Sequence, residues 1–282
     1  MKRILLAGAT GYLGSFVLKE LELHEYKNRI ITRNKNKLTD YNRSKTEVIE
    51  AEVTKPETLN NICEGIDTLI STIGITNQKD GLTYMDVDYR ANSNLLNEAK
   101  KSGVKKFIYV SVLNGEKLEH LKICEAKEKF VQELTSSGLD YCIIRPNGFF
   151  SDMTEFYNMA KKGRIYLFGD GELKSNPIYG EDLAKLCVNC INTDDKEIKA
   201  GGPEILTQNQ IAETAFKALN KTPKITYIPD WLRRVVLRLI TAFTSSKTYG
   251  PVEFFMTVIT MEMVAPEYGK HTLKEYFESL NK

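Results

Sequence analysis

Three glycines and one lysine carry the clearest chemistry in this 282-residue chain. Gly8, Gly11 and Gly14 follow the apolar run Ile4-Leu5-Leu6-Ala7 and lead straight into the amphipathic run Phe16 to Leu21. A strand that turns through glycines into a helix aims backbone N–H groups and the positive end of a helix dipole at one point, which suits a phosphate. Gly8 permits the tight turn, Gly11 lets the main chain approach a pyrophosphate, and Gly14 lets helix and strand pack closely. The spacing is G-x-x-G-x-x-G rather than G-x-G-x-x-G, and its position between a strand and a helix is the context that makes it a dinucleotide motif. Gly8, Thr10, Gly11, Tyr12, Leu13 and Gly14 are therefore candidate cofactor contacts.

Such a turn works only if a sheet holds it. From residue 1 to about 146 strand-like and helix-like segments alternate, which signals βαβ units and a parallel sheet. Arg29–Thr32, Glu47–Ala51, Asp67–Ser71, Lys106–Ser111 and Tyr141–Arg145 read as strands two to six. Helical segments are expected at about 56–64, 83–102 and 119–137, with Gly103 and Gly138 at two of their C-terminal ends. The predicted fold is α/β, a Rossmann doubly wound parallel sheet with a smaller C-terminal substrate or lid region. Residues 1–160 form the NADP-binding core. Residues 161–282 supply the remainder of that core, about 176–203, and a mostly helical region. Right-handed crossovers put the carboxyl ends of the strands on one rim, where a ligand lies.

The rim residues refine the expectation. Strand two ends in Thr32-Arg33-Asn34-Lys35, with no acid where a site selective for NAD places one. Arg33 and Lys35 suit a 2′-phosphate instead, so NADP(H) is the expected cofactor. Ser71, Thr72 and Gly74 follow strand four, where small side chains let the backbone lie against the cofactor. Ser111 ends strand five as a candidate catalytic hydroxyl or a simple turn residue.

The chain resembles the short-chain dehydrogenase/reductase superfamily, in particular its atypical, NmrA-like and isoflavone-reductase-like branches. The likeness rests on GATGYLG at 8–14, Arg33, STIG at 71–74, VSVLNGE at 110–116 and IIRPNGFF at 143–150. It implies an NAD(P)H-dependent oxidoreductase in which Pro146 and Asn147 belong to a loop over the nicotinamide. In most of that superfamily a tyrosine and a lysine four residues later do acid/base work. Here the lysine position falls on Lys127 and the tyrosine position on Ile123, which neither gives nor takes a proton. Lys127 then has three readings: a holder of ribose hydroxyls, the proton-transfer group with a lowered pKa, or a solvated helix lysine. The expected reaction reduces a small, largely apolar carbonyl or conjugated compound, in a cleft between the strand rim and residues beyond 200. The alternative is a non-catalytic NADP(H)-binding redox sensor, assembly or scaffold protein, with a sugar epimerase a weaker third.

Composition sets outer bounds. Hydrophobic residues at 42% and charged residues at 27% describe an ordinary globular protein. A net charge of +2 gives no reason to expect nucleic acid. Five cysteines without framework spacing fit a reducing compartment, and the lone pair Cys187 and Cys190 reads as one buried helix face, not a metal site. A cytoplasmic location is expected, with no signal peptide before the first strand and no apolar run long enough to span a membrane. The run 231–243, rich in arginine, reads as a lid helix or, less commonly, as a peripheral membrane contact. Phe149, Phe150 and the Phe- and Met-rich C-terminal stretch suit either a substrate pocket or plain core. Asp182 reads first as a structural helix cap. Oligomeric state is not legible.

Overall fold

The computed structural model describes residues 1–38, 40–76, 78 and 81–281. Its centre is a seven-stranded sheet built from β1 (Arg3–Ala7), β2 (Lys27–Thr32), β3 (Thr46–Glu50), β4 (Thr68–Ser71), β5 (Lys106–Val110), β6 (Asp140–Pro146) and β9 (Glu197–Ala200). The spatial order is β3-β2-β1-β4-β5-β6-β9, and β1 to β6 pair in parallel. The order reverses at β1 and β4, so the crevice beyond the carboxyl ends of these two strands is the switch point where open α/β sheets bind ligands. β1, β4 and β5 bury nearly every residue, as their unbroken apolar runs require of strands covered on both faces.

The chain forms two compact units: residues 1–145 with 183–198, and residues 146–182 with 199–282. In the first, α1 (Tyr12–Leu23), α2 (Asn92–Lys101) and α3 (Lys122–Thr135) supply crossovers. Leu95, Leu96 and Ala99 of α2 and Phe130, Val131 and Leu134 of α3 pack with Leu69, Phe107, Tyr109 and Ile143 of the sheet in one apolar core. A wide turn of helix, Met85–Ala91, precedes α2. The helix expected over 56–64 is absent: one turn at Pro56–Thr58 stops where Asn61 takes the left-handed conformation, φ 63°, and its amide binds Glu98.

The second unit contains α4 (Phe150–Lys161), β7 (Ile165–Phe168), β8 (Lys174–Ser175), β10 (Leu206–Thr207), α6 (Gln208–Ala218), β11 (Ile225–Ile228), α7 (Asp230–Phe243), α8 (Ser246–Val258) and α9 (Leu273–Ser279); α5 (Gly180–Asn189) leads from it back into the first. Phe150, Phe156, Phe216 and Phe277 share its core. Asp182 clamps a turn, accepting from the amides of Lys270 and His271 at 3.0 Å each. Every residue of α7 is half-buried or exposed, including Trp231 at 61% and Phe243 at 81%.

A buried ion pair braces the first unit. Arg145 donates from both terminal nitrogens to Glu128, at 2.6 and 2.9 Å, and from Nε to Glu197 at 2.8 Å. Both Glu128 and Arg145 side chains are about 5% exposed. Gly115 packs beside them, and a β-carbon there would lie 2.1 Å from Glu128 Oε1, so any side chain would have to displace the pair. Breaking such a pair leaves a charge buried alone. Glu128→Ala is expected to lower the unfolding free energy by about 3–5 kcal/mol in urea titrations, and Glu125→Ala, which removes an exposed pair with Lys122, by about 0.5 kcal/mol or less.

Candidate active site

The glycine turn is a cradle that side chains would fill. Gly8 has φ 96°, and a β-carbon there would meet Thr72 Oγ1 at 2.4 Å. At Gly14 it would sit 2.0 Å from the Gly8 carbonyl oxygen, so only glycine lets α1 start this close to β1. The Gly11 amide closes the turn by donating to Gly8 O at 2.9 Å. Gly11 is also the residue before α1, in extended conformation, and Leu13 and Gly14 are buried while Thr10, Gly11 and Tyr12 are exposed. A diphosphate fits this arrangement: main chain without side-chain cover, at the positive end of a helix.

The loop after β4 joins the cradle to the lysine. Thr72 packs on Gly8 and Gly14 and donates through Oγ1 to Ala7 O at 3.1 Å. Two residues on, Gly74 is exposed, and a β-carbon on it would lie 2.8 Å from Lys127 Nζ and 2.7 Å from Asp88 Oδ1. Lys127 Nζ stands 2.9 Å from Asp88 Oδ1, with the lysine side chain 12% exposed and the aspartate fully buried. Burial works against the lysine's charge, but the facing Asp88 carboxylate, with Tyr109 beside it, outweighs that and holds the ammonium well above the ordinary value of 10.5. Burial likewise pushes the Asp88 carboxyl up, against the pull of Lys127. The cause of the raised value is a carboxylate that the motif pattern does not reveal.

The remaining candidates separate into several groups. Ser71 is fully buried, its hydroxyl donating to Asn92 Oδ1 at 2.5 Å, so it fixes the loop beneath Gly74. Ser111 is 5% exposed and donates to Glu128 Oε1 at 3.2 Å, which ties it to the Arg145 brace. Arg33 and Lys35 are exposed just past β2. Glu52, lowered first by Lys55, also feels the Arg33 charge. Pro146 and Asn147 belong to the second unit. There the Asn147 amide donates to Asn176 Oδ1 at 2.9 Å and to Met263 O, and its carbonyl accepts from the Gly148 amide. Ile123 is 6% exposed in the first turn of α3, a hydrocarbon at the tyrosine position. All five cysteines are buried as free thiols, with burial pushing Cys63 and Cys124 up to about 12. Among the described residues no group of three or more side chains is arranged to hold a metal, and no helix is long and apolar enough to cross a membrane.

Asp88 and Asn92 are the site residues that motif reading missed. They lie four apart, on the face that also buries Val87, Ala91, Leu95 and Leu96. Polar residues on the apolar stripe of a helix were the available signal. The wide turn at 85–91 brings both inward, with Asn92 Nδ2 donating to Asp88 O at 2.9 Å.

Residues 8–194 match the family described as NAD(P)H-binding. The chain belongs to this NAD(P)H-binding family. That membership agrees with the superfamily resemblance of its motifs and with a Rossmann-like sheet. Among curated proteins it is 28% identical to the chloroplastic divinyl chlorophyllide a 8-vinyl-reductase of Arabidopsis thaliana, over 97% of this chain and 75% of that protein. It is 24% identical to the photosystem II assembly factor Ycf39 of Synechocystis sp., over 86% of this chain and 74% of that one. Among solved structures, an NADPH-dependent quinone oxidoreductase from Escherichia coli, complexed with NADPH, superposes with a TM-score of 0.74 at 18% identity, covering 99% of this chain and 100% of that chain.

The lysine's charge is open to direct measurement. In spectra of 13Cε-labelled lysines, Lys127 of the NAD(P)H-binding chain is expected not to titrate below the ordinary lysine value of 10.5. Asp88→Asn leaves burial unopposed, so its Lys127 titrates below that value. A wild-type lysine that deprotonates near neutrality contradicts the charged pair.

Proposed function

We propose that the protein is an NADPH-dependent oxidoreductase acting on a small, largely apolar carbonyl or conjugated compound. The observation that carries this reading is the buried Lys127 ammonium under Gly74, on the same loop that packs Thr72 against the glycine cradle. The amides around Gly8 to Gly14 bind the diphosphate, with no side chain to displace. Arg33 and Lys35 lie past β2, where an adenosine ribose is bound in such folds, and their charges select a 2′-phosphate. The dihydronicotinamide, when bound, supplies the hydride.

Lys127 holds its proton at Nζ and donates to ribose hydroxyls, so of its three readings the holder is favoured over the base. Asp88 keeps it charged, and Ser71 with Asn92 keeps the loop around Gly74 in place. Ser111 spends its hydroxyl on Glu128 and acts as a structural residue in this account. Water is then the favoured proton source, since neither Ile123 nor a strongly basic lysine readily gives one up. Relatives that include a vinyl reductase support reduction of a conjugated bond.

A second reading, a non-catalytic NADP(H)-binding assembly or sensor protein, has two observations behind it. Ile123 removes the usual acid, and α7 leaves Trp231, Leu239 and Phe243 exposed on one chain segment, as a partner-binding helix would. Assembly factors are also among the similar proteins.

Fluorescence titration with NADPH and NADH, followed by NADPH consumption against quinones, enones and vinyl-bearing compounds, separates the readings. NADPH is expected to bind more tightly than NADH and to be consumed with at least one class. Lys127→Ala should weaken NADPH binding and lower turnover together. Arg33→Asp should weaken NADPH about tenfold or more while leaving NADH nearly unchanged. Equal loss for both coenzymes contradicts the 2′-phosphate assignment, and tight binding with no consumption favours the second reading.

A further inference from the structure

From Trp231 to Val252 the chain carries Arg233, Arg234, Arg238 and Lys247 and no acid. Most of this stretch is α7, fourteen residues long. Successive helical residues point about 100° apart, which divides α7 into two faces. On the inner face Arg233, Val236, Leu237 and Ile240 are half-buried. Arg233 ties that face to α8, donating through a terminal nitrogen to Met256 O at 3.3 Å.

The outer face is apolar. Trp231, Val235, Leu239, Leu232 and Phe243 follow one another through about 120° of the helix circumference, and all five are exposed. Arg234 and Arg238, also exposed, border this stripe about 20–60° to one side of Trp231. Asp230, the one acid of the helix, is taken by Arg233 Nε at 2.6 Å and Arg234 Nε at 3.1 Å. Arg238 enters no ion pair among the described residues.

An exposed apolar stripe with cations along its border is the pattern of a helix that lies in a membrane surface. Tryptophan suits that place, because its ring is apolar at one end and wet at the other. At fourteen residues α7 is about 21 Å long, shorter than the roughly 30 Å hydrocarbon core of a bilayer, so it lies along the surface and not across it. A second copy of this face fits less well. It would bring apolar side chains but no acid to Arg238, and would cover a charge without a partner. Anionic headgroups supply the missing charge. We propose that α7 is an in-plane anchor that docks the protein on a membrane of anionic phospholipid, with its five apolar side chains at the acyl-chain boundary and Arg238 among the phosphates. The anchor does not depend on the reaction proposed above.

Trp231 is the chain's one tryptophan, so its emission reports on the anchor directly. The full chain is titrated with vesicles of phosphatidylcholine mixed with phosphatidylglycerol, and in a separate arm with vesicles of phosphatidylcholine alone. Mixed vesicles are expected to shift the emission to the blue and to carry the protein upward in a flotation gradient. Vesicles without net charge bind it more weakly, and added salt weakens the mixed arm. Leu239→Glu, at an exposed position, should weaken binding to mixed vesicles about tenfold or more without lowering the thermal midpoint. Arg238→Ala should weaken it about fivefold. No binding to either vesicle, equal binding to both, or binding unchanged in both variants overturns the proposal. A blue shift that follows protein concentration without lipid makes the face a contact between copies and overturns it as well.

Discussion

A β-carbon at residue 14 would stand 2.0 Å from the carbonyl oxygen of Gly8, and that single distance organises the first unit. It forces glycine at the start of α1, seats the helix against the end of β1, and leaves bare main chain at the switch point of the sheet. Thr72 then fills the space beside Gly8, and the loop after β4 is held where Gly74 can cover Lys127 without a side chain of its own. The cradle and the lysine are parts of one packing arrangement rather than two motifs that happen to be near each other.

Helix α3 splits structure from chemistry between two consecutive residues. Lys127 and Glu128 point roughly 100° apart around the helix, and each ends in a buried ion pair. Glu128 meets Arg145 deep in the unit, with Gly115 packed on top and the Ser111 hydroxyl drawn in. Lys127 meets Asp88 beneath an exposed glycine, so its charge remains within reach of the surface. The first pair braces the sheet. The second keeps a cation beside the loop that follows β4. An isoleucine in place of tyrosine makes that division sharper, because the helix retains a fixed charge but no phenol.

Much of the first unit was legible in the sequence because its signals are local. Apolar runs of four to six residues between glycines are read as strands without knowing what covers them, and β1 to β6 fall within two residues of the expected limits. The 56–64 segment was misread because helical periodicity says nothing about Asn61, whose amide is claimed by a distant Glu98. Asp88 and Asn92 were overlooked for a related reason. Their role appears only when the wide turn at 85–91 brings Asp88 to a lysine nearly forty positions away and Asn92 to Ser71. In the second unit the βα rhythm ends, and α4, α8 and the short pairs β7 with β11 and β8 with β10 depend on long-range partners that spacing does not encode.

The account stands or falls on where the coenzyme's diphosphate and adjacent ribose lie. A crystal structure with NADPH should show the diphosphate on the amides of residues 8–14 and the nicotinamide ribose hydroxyls within hydrogen-bond distance of Lys127 Nζ, still paired with Asp88. A coenzyme bound elsewhere, or one whose ribose leaves Lys127 untouched, would contradict it.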